Sequence, residues 1–588
     1  MQLADQNKPV PGFGSALVFR SKAFAFQVQR AAYKFTESVE RHPAGNSLIG
    51  ANVIAESRTP LWTQHEASER ALMLGKIHNL RLAIQRLHGV EISGGRVFSF
   101  WKQIGRTSRL RGYVAGRELR EGCLIPSIGG GLCQLSNALY DAALQAGFEI
   151  VERHSHTQVV PGSLAEVHRD ATVFWNYVDL RFRHARDFRI EAELTADSLV
   201  VRFRAEPVKK LLQVLANTNS QISRRSSSVN SCTSCEATQC FRHAGKQNND
   251  IQGRTAYLLD EYWPEFDRYI SNTKRKIDLL CIPLDGQKYD KPNYAWTATG
   301  FGTVKQSRFF ALRRSYESRK LKSHGAVRQA AALASDERLA ARYASRLTYD
   351  VTHVTVMQNL LPYLWSQGHL TGRTFDVLMT RLPLANLQDR LDTAAQLHPE
   401  SSTLADFRTT DRLVKAEGEA LEHARQIITP HTEIAALFPN KSVLLDWILP
   451  AVGPPKPAGH QASRIVFPAA SLGRKGIYEL REALIGLDVE LILLGQILEK
   501  KDFWSGLQVR QMRQGDDWLE SAAVVVLPSF VEHNPRRLLE AVARGVPVIA
   551  SAACGLENVK GVTTVEMNSD ALRAAIESWR SWRLGGYS

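Results

Sequence analysis

Three groups of side chains in this 588-residue sequence have the types and spacing to do chemistry. The first is an acidic pair. Glu532 follows an apolar run and Pro528-Ser529, and Glu540 stands eight residues on, ahead of Gly545 and a second apolar run. Ligands of open parallel sheets bind beyond the carboxyl ends of the strands, so Glu532 is expected to point into a pocket there. The second is a thiol. Cys133 follows Gly129, Gly130, Gly131 and Leu132, and His154, His156 and Asp170 come later in the chain. A cysteine, then a histidine, then an acid is an order suited to nucleophilic catalysis, the histidine taking the thiol proton and the acid orienting it. Either histidine fits. The third is Cys232, Cys235, Cys240 and His243, spaced Cys-x2-Cys-x4-Cys-x2-His. Such ligands can close a tetrahedron around a structural zinc, or the cysteines can hold an iron–sulfur cluster.

Particular elements must position these groups. Residues 522–527 and 546–550 lack polar alternation, as expected of parallel strands covered on both faces. Pro535 suits the first helical position and Gly545 the C-terminal stop. The N–H groups of 534–536 are then expected to face an anion at the helix start. Residues 464–469, the turn Ser471-Leu-Gly-Arg-Lys-Gly476 and a helix over 477–484 repeat the strand–turn–helix pattern, and 489–494 adds a strand. Further upstream, strands over 254–260, 276–283, 351–358 and 375–380 and the segment 426–431 alternate with helices, which predicts a second doubly wound sheet. His353, Asn359 and His431 fall near strand ends there. Cys133 opens a helix running to about Gly147, whose positive end favours the thiolate. A strand over 150–157 would put His154 and His156 on one face. Residues 23–40 and 70–87 read as helices, and 217–231, rich in Ser, Asn and Arg, as a linker. The organisation expected is 1–80, a helical lead; 81–205; 206–250, a linker with the Cys/His cluster; 251–460; and 461–588.

Composition narrows the partners. Lys plus Arg number 74 against 59 Asp plus Glu, a net charge of +15 that favours an anionic partner. No nucleic-acid motif is present, which sets RNA and DNA aside. No run reaches the ~20 apolar residues of a membrane span. The start of the chain lacks a signal-peptide layout. The seven cysteines are sparse and odd in number, unlike a disulfide framework. A cytoplasmic protein is expected. Arg20, Lys22, Arg30 and Lys34 suit either a solvated face or peripheral contact with anionic lipid, and the basic run 305–328 either a solvated helix or a guide for an acidic acceptor.

Two stretches resemble known families. Glu532 and Glu540, with Glu-Ala-Val-Ala-Arg-Gly-Val-Pro-Val-Ile over 540–549, resemble the donor half of retaining glycosyltransferases of the GT-B fold, which have two facing Rossmann-like domains. The resemblance implies that Glu532 holds the donor sugar, Glu540 the nucleotide ribose, and Lys475 with Arg474 the pyrophosphate. It also implies that Gly473, Asn534, Pro535 and Gly555 line the donor, and that no divalent metal is required. Arg474 and Lys475 are adjacent here, whereas that family separates the two cations. The glycine-rich loop usual after the first strand of the acceptor half is replaced by Asp260-Glu-Tyr-Trp-Pro264. Substrates would be a UDP- or GDP-sugar and a glycan or lipid-linked acceptor.

Residues 96–182 resemble the VanW family: Arg96-Val-Phe-Ser-Phe100, Gly112-Tyr113, Gly129-Gly-Gly-Leu-Cys-Gln134, Arg153-His-Ser-His156, Arg169-Asp-Ala-Thr-Val173 and Asp179-Leu-Arg-Phe182 all fall in register. The fold class expected is α/β multidomain: an N-terminal α+β VanW-like domain, then two Rossmann-like, doubly wound parallel sheets. The function expected is a bacterial retaining glycosyltransferase in cell-envelope or surface-glycan metabolism. The alternatives are a transglutaminase-like acyl-transfer or amidase activity of Cys133, His156 and Asp170, with the GT-B half a sensor or scaffold, and a purely binding role.

Overall fold

The computed structural model describes residues 21, 39–62, 70–120, 123–156, 163–175, 177–206, 230–231, 253–321, 325–405, 408–451, 463–500, 502–512, 518–520 and 522–585. The chain divides into two units. One comprises 1–254 with 348–352 and 370–373, the other 255–347, 353–369 and 374–588.

The first unit is built on a four-stranded antiparallel sheet ordered Asn52–Pro60, Ser198–Ala205, Phe188–Leu194 and Val90–Ile92. Along Asn52–Pro60 the buried positions are Ala55, Ser57 and Thr59, the two-residue period of a strand with one covered face. Helices Arg70–Ile84 and Cys133–Gln145 supply the cover, through Ile77, Leu80, Leu135 and Leu139. Phe98, Phe148, Phe182, Phe188 and Phe203 fill the same core, with Phe98 and Phe182 stacked at 4.7 Å. The boundary expected after residue 80 is therefore absent. The helix Arg70–Ile84 runs through it, because an amphipathic sheet needs that helix to bury its inner face.

A hairpin, Ala115–Arg120 with Cys123–Ile128, leads into the glycine run before Cys133. Asn230–Ser231 pairs in parallel with Cys123 and Leu124, so these two residues of the expected linker form a strand. Ladder bonds come from backbone groups, so a polar dipeptide can extend an edge. The rest of that linker from 217, residues 23–38 of the helix expected over 23–40, and Cys232, Cys235, Cys240 and His243 lie outside the described residues, and 39–40 are not helical.

The second unit carries two doubly wound sheets. In chain order the strands of the first are Arg254–Leu258, Leu279–Ile282, Thr303–Gln306, Val351–Met357, Thr374–Leu378, Gln426–Thr429 and Ser442–Leu444, and they stand in the spatial order 3-2-1-4-5-6-7. Those of the second are Arg464–Phe467, Glu490–Leu493, Gln508–Gln511, Val524–Leu527, Val548–Ser551 and Val562–Val565, in the order 3-2-1-4-5-6 with parallel pairing throughout. Val524–Leu527 and Val548–Ser551 are buried at every position, which is why their sequences show no alternation. One apolar cluster draws Trp263, Phe266 and Trp447 together with Ile465, Phe467 and Val525. In each sheet the winding reverses between strands one and four, the point beyond which such sheets bind their ligands.

Candidate functional site

Cys133 is the first residue of the helix Cys133–Gln145. Gly129 and Gly131 sit at φ 80 and 99, and a Cβ at Gly130 would lie 2.4 Å from the Gly116 carbonyl oxygen. The glycines thus let the hairpin press against the helix start. Asp170 has a fully buried side chain. Its Oδ1 accepts from Arg153 Nη2 at 2.9 Å, and its Oδ2 accepts from the His156 backbone N–H at 2.6 Å and lies 2.9 Å from Nδ1 of the His156 ring. That contact commits Nδ1 and leaves Nε2 as the ring nitrogen that can take the thiol proton, and the side chains of His156 and Cys133 line the same cavity. Ser136 Oγ donates to the Ala171 carbonyl at 2.5 Å, and Asn137 accepts from the Ala171 N–H at 2.8 Å, so the helix fixes the segment carrying Asp170. Thr172 Oγ1 and the Val173 carbonyl each lie 3.9 Å from the sulfur.

Burial alone would raise the Cys133 thiol, but the hydrogen bond and charge of His156 outweigh it and hold the thiol below its ordinary value. Burial would lower His156, but Asp170 and Cys133 lift it to about 9. Burial would raise Asp170, yet His156 and Arg153 hold it down to about 2. The strand expected over 150–157 ends at Glu152, so the two histidines do not share a strand face. His154 is half-exposed and 3.4 Å from Glu152; His156 is the one at the thiol. Cys133 and His156 line a cavity of about 450 Å³ whose wall also includes Lys76, Arg117, Trp101 and Trp175. Arg153, Ser136 and Asn137 were legible only as neighbours of the residues predicted.

In the second unit, the reversal point of the six-stranded sheet holds the other constellation. The loop after Arg464–Phe467 forms one turn, Gly473–Lys475, closed by Gly476 at φ 71. A Cβ on Gly476 would stand 1.6 Å from the Pro528 carbonyl oxygen, so a side chain there would force this loop off the one after Val524–Leu527. That second loop carries Glu532. Lys475 Nζ donates to Glu532 Oε2 at 2.6 Å and to the Val531 carbonyl at 3.3 Å. Both side chains are nearly buried, 10% and 12% exposed. Burial would raise Glu532, but the Lys475 ammonium holds it down to about 2; burial keeps Lys475 below its ordinary value despite the carboxylate. His431, just past Gln426–Thr429, lies 3.3 Å from the Glu532 carbonyl and 3.1 Å from that of Ala553. Burial takes its pKa down to about 4, so it donates as a neutral ring.

The backbone groups of 534–536 differ from expectation. The Asn534 N–H donates to Glu532 Oε1 at 3.0 Å, the Arg536 N–H donates to the Asn534 carbonyl at 2.8 Å, and Pro535 has none. The helix starts at Arg536, with Pro535 as its cap, so these donors close a turn instead of facing an anion. Glu540 lies partly buried on that helix. The Gly473 N–H donates to Thr403 Oγ1 at 2.8 Å and Glu499 Oε1 at 3.1 Å. The Gly555 carbonyl accepts from Trp447 Nε1 at 2.9 Å, and a Cβ there would meet the His431 ring at 2.2 Å, so an imidazole occupies the approach expected for a ligand. The Arg474 carbonyl accepts from the Phe530 N–H at 3.0 Å. The Arg536 guanidinium grips Glu265 at 2.7 and 2.6 Å and lies over Trp263 and Trp447. Trp263 belongs to the segment that stands where a glycine-rich loop was expected.

At the reversal point of the seven-stranded sheet, Asn359 Nδ2 donates to Asp260 at 2.9 Å and Asp336 at 3.0 Å, with Arg314 2.6 Å from Asp260. Burial and the Asp260 charge push Asp336 up to about 7. His353 sits in the first half of its strand, 3.1 Å from Asp376 and 2.8 Å from Thr374, away from the carboxyl end where a cleft residue belongs. Among the described residues no group of three or more His, Cys, Asp or Glu is placed to hold a metal ion.

Residues 75–204 match the family model described as VanW like protein, and residues 473–580 that described as Glycosyl transferases group 1. The chain joins a VanW-like domain to a glycosyltransferase domain. The VanW-like domain is similar to the uncharacterized protein YoaR of Bacillus subtilis, 28% identical over 35% of this chain and 68% of that protein. It is also similar to the vancomycin B-type resistance protein VanW of Enterococcus faecalis, 27% identical over 33% of this chain and 72% of that one. Among solved structures, sucrose-phosphate synthase from Thermosynechococcus elongatus is 16% identical over 56% of this chain and 91% of that one, with a TM-score of 0.34. WaaG, a glycosyltransferase of lipopolysaccharide biosynthesis, is 15% identical over 56% and 93%, with a TM-score of 0.31. The thiol site falls inside the VanW-like match, and Lys475, Glu532 and Glu540 inside the glycosyltransferase match.

Proposed function

We propose that the glycosyltransferase domain moves a sugar from a UDP- or GDP-sugar to a glycan or lipid-linked acceptor, with retention of configuration and without a divalent metal. The observation that carries this reading is the Lys475–Glu532 pair at the reversal point of the six-stranded sheet. A pyrophosphate bears more negative charge than one carboxylate, so a donor displaces Glu532 from the ammonium and frees it for the sugar hydroxyls. Lys475 and Arg474 then offset the charge that grows on the leaving diphosphate, a task that a metal ion performs in other transferases. Glu540, on the helix Arg536–Ala543 that follows the Glu532 loop, is assigned the ribose.

The membrane side of the reading rests on Arg308–Lys320. This helix exposes Phe309, Leu312 and Tyr316 on one side, with Arg308, Arg319 and Lys320 also in solvent. Aromatic and basic groups together suit an anionic lipid surface. Peripheral contact at the cytoplasmic face would bring the domain to a lipid-linked acceptor, and a vancomycin resistance protein among the relatives fits a cell-envelope setting. Among the described residues no helix is long and apolar enough to cross a membrane.

The test is a donor screen across UDP-, GDP- and ADP-sugars, with and without chelator, comparing the native chain with Glu532→Gln and reading the product anomer by NMR. The expected result is chelator-resistant transfer with a retained anomer, lost in the variant. An inverted product, or transfer that the variant carries out normally, refutes the assignment.

A further inference from the structure

The cavity of the VanW-like domain holds groups that glycosyl transfer does not use. Cys133, His156 and Asp170 come from a helix, the segment after a strand and a buried loop; His156 is held by Asp170 through its N–H and its ring, and it lines one cavity with Cys133. Cysteines packed in the second unit differ. Cys281 and Cys554 are fully buried, and burial pushes the Cys554 thiol up to about 12. A packing cysteine needs neither an imidazole oriented by an acid nor an opening to a cavity of about 450 Å³.

We propose that Cys133, His156 and Asp170 form a thiol acyl-transfer site acting on an amide or ester that carries a carboxylate close to the scissile carbonyl. Two further observations fix the geometry and the substrate class. In the first turn the Gln134 N–H already donates to the Gly131 carbonyl, and those of Leu135 and Ser136 to the Leu132 carbonyl. Stabilisation of an oxyanion beside the sulfur therefore falls to the positive end of the 13-residue helix that Cys133 opens. In the cavity wall stands Lys76, buried, its Nζ donating to the Leu61 carbonyl at 2.7 Å. Burial and repulsion from Arg117 hold Lys76 down to about 7. A substrate carboxylate relieves that repulsion and keeps the ammonium charged. The aromatic walls Trp101 and Trp175 flank the same space.

The chemistry balances with these groups alone. The Cys133 thiolate adds to the carbonyl carbon, forming the C–S bond as the C=O pair moves to oxygen. Collapse breaks the C–N or C–O bond, and the leaving group takes the proton of His156 Nε2. The neutral imidazole then takes a proton from water or an amine, which adds to the thioester. The C–S bond breaks and the thiolate returns beside a protonated His156. Asp170 holds the ring throughout and is a positioning residue.

The experiment uses the full-length chain with p-nitrophenyl acetate and the mono-p-nitrophenyl ester of succinic acid as probes. The expected result is a burst of about one equivalent of nitrophenol, with the acyl group on Cys133 by peptide mass mapping. His156→Gln should slow acylation by ~10²-fold or more, as loss of a general acid–base does. The succinyl ester should react about ten times faster than the acetyl ester, the gain of one favourable charge contact, and Lys76→Met should erase the preference. A separate readout, the pH profile of Cys133 alkylation by iodoacetamide in the folded native chain, should have its midpoint below the ordinary thiol value of ~8.5, and His156→Gln should move it up. An ordinary midpoint in the native chain, an equal burst from Cys133→Ser, or ready alkylation without acylation overturns the site. Equal rates for the two esters overturn the anionic substrate class.

Discussion

The two constellations treat the same problem in opposite ways. In the VanW-like domain a thiol and an imidazole are poised against each other at the edge of an open cavity, with Asp170 buried behind them. In the glycosyltransferase domain the ammonium of Lys475 and the carboxylate of Glu532 are turned on one another, and the surrounding N–H groups of Gly473 and Asn534 are already engaged. The first arrangement is complete without a ligand. In the second each partner satisfies the other, and under the proposed function a donor anion opens the pair. Pre-organisation therefore belongs to the reactive atoms in one site and to the binding energy in the other.

The largest break in that comparison should come from Lys475→Ala. Loss of the charge proposed to stabilise the leaving diphosphate should lower donor turnover by ~10²–10³-fold, measured as nucleoside diphosphate release, while thiol alkylation in the other domain should stay as it was. Next comes Asp170→Asn, which removes the buried negative charge and leaves one acceptor oxygen where two serve Arg153 and His156. Breaking a buried charged network of this kind costs about 3 kcal/mol, read as a lower urea midpoint for the N-terminal unit.

A smaller effect follows from pH. The folded pKa of His156 is raised from 6.5 to about 9. Its contribution is thus complete below pH 6.5 and is lost as pH rises through about 9. Thermal melts of the native chain should lose stability across that window, and His156→Gln should flatten the slope. Glu532 has the opposite sign: its pKa falls from 4.5 to about 2, so its contribution is present above 4.5 and is lost as pH falls toward 2. The mildest change sharpens the membrane side. Phe309→Ser with Leu312→Ser should weaken sedimentation with anionic vesicles by ~10-fold, in line with ~25 cal/mol per Å² of apolar area withdrawn from lipid, and leave turnover of soluble donor unchanged.

Much of this was legible in the sequence, for reasons tied to particular residues. Strands such as Val524–Leu527 announce themselves because both faces are covered, and Gly473-Arg-Lys-Gly476 because a turn of that shape needs glycine at its end. The pairing of Cys133 with His156 and Asp170 followed from the residue types, yet the choice between His154 and His156 did not. Both flank Ser155, and only the early end of the strand at Glu152 decides which ring turns inward. The clasp of Lys475 on Glu532 was hidden as well, since 57 residues separate them and their meeting depends on strand order. The place of Asn52–Pro60 was missed for the same reason: its partner Ser198–Ala205 lies at the far end of the domain, and only the register shows it. Long-range pairing of this kind leaves no local trace.

Gly476 has a consequence for anyone hoping to retune the donor. Its hydrogen-only side allows the turn bearing Lys475 to rest directly on the Pro528 carbonyl. The spacing between ammonium and carboxylate is therefore inherited from main chain on main chain, and exchanging the surrounding side chains leaves it unaltered. Substitutions in the walls would leave that corner in place, whereas any residue larger than glycine at 476 would unseat it at once.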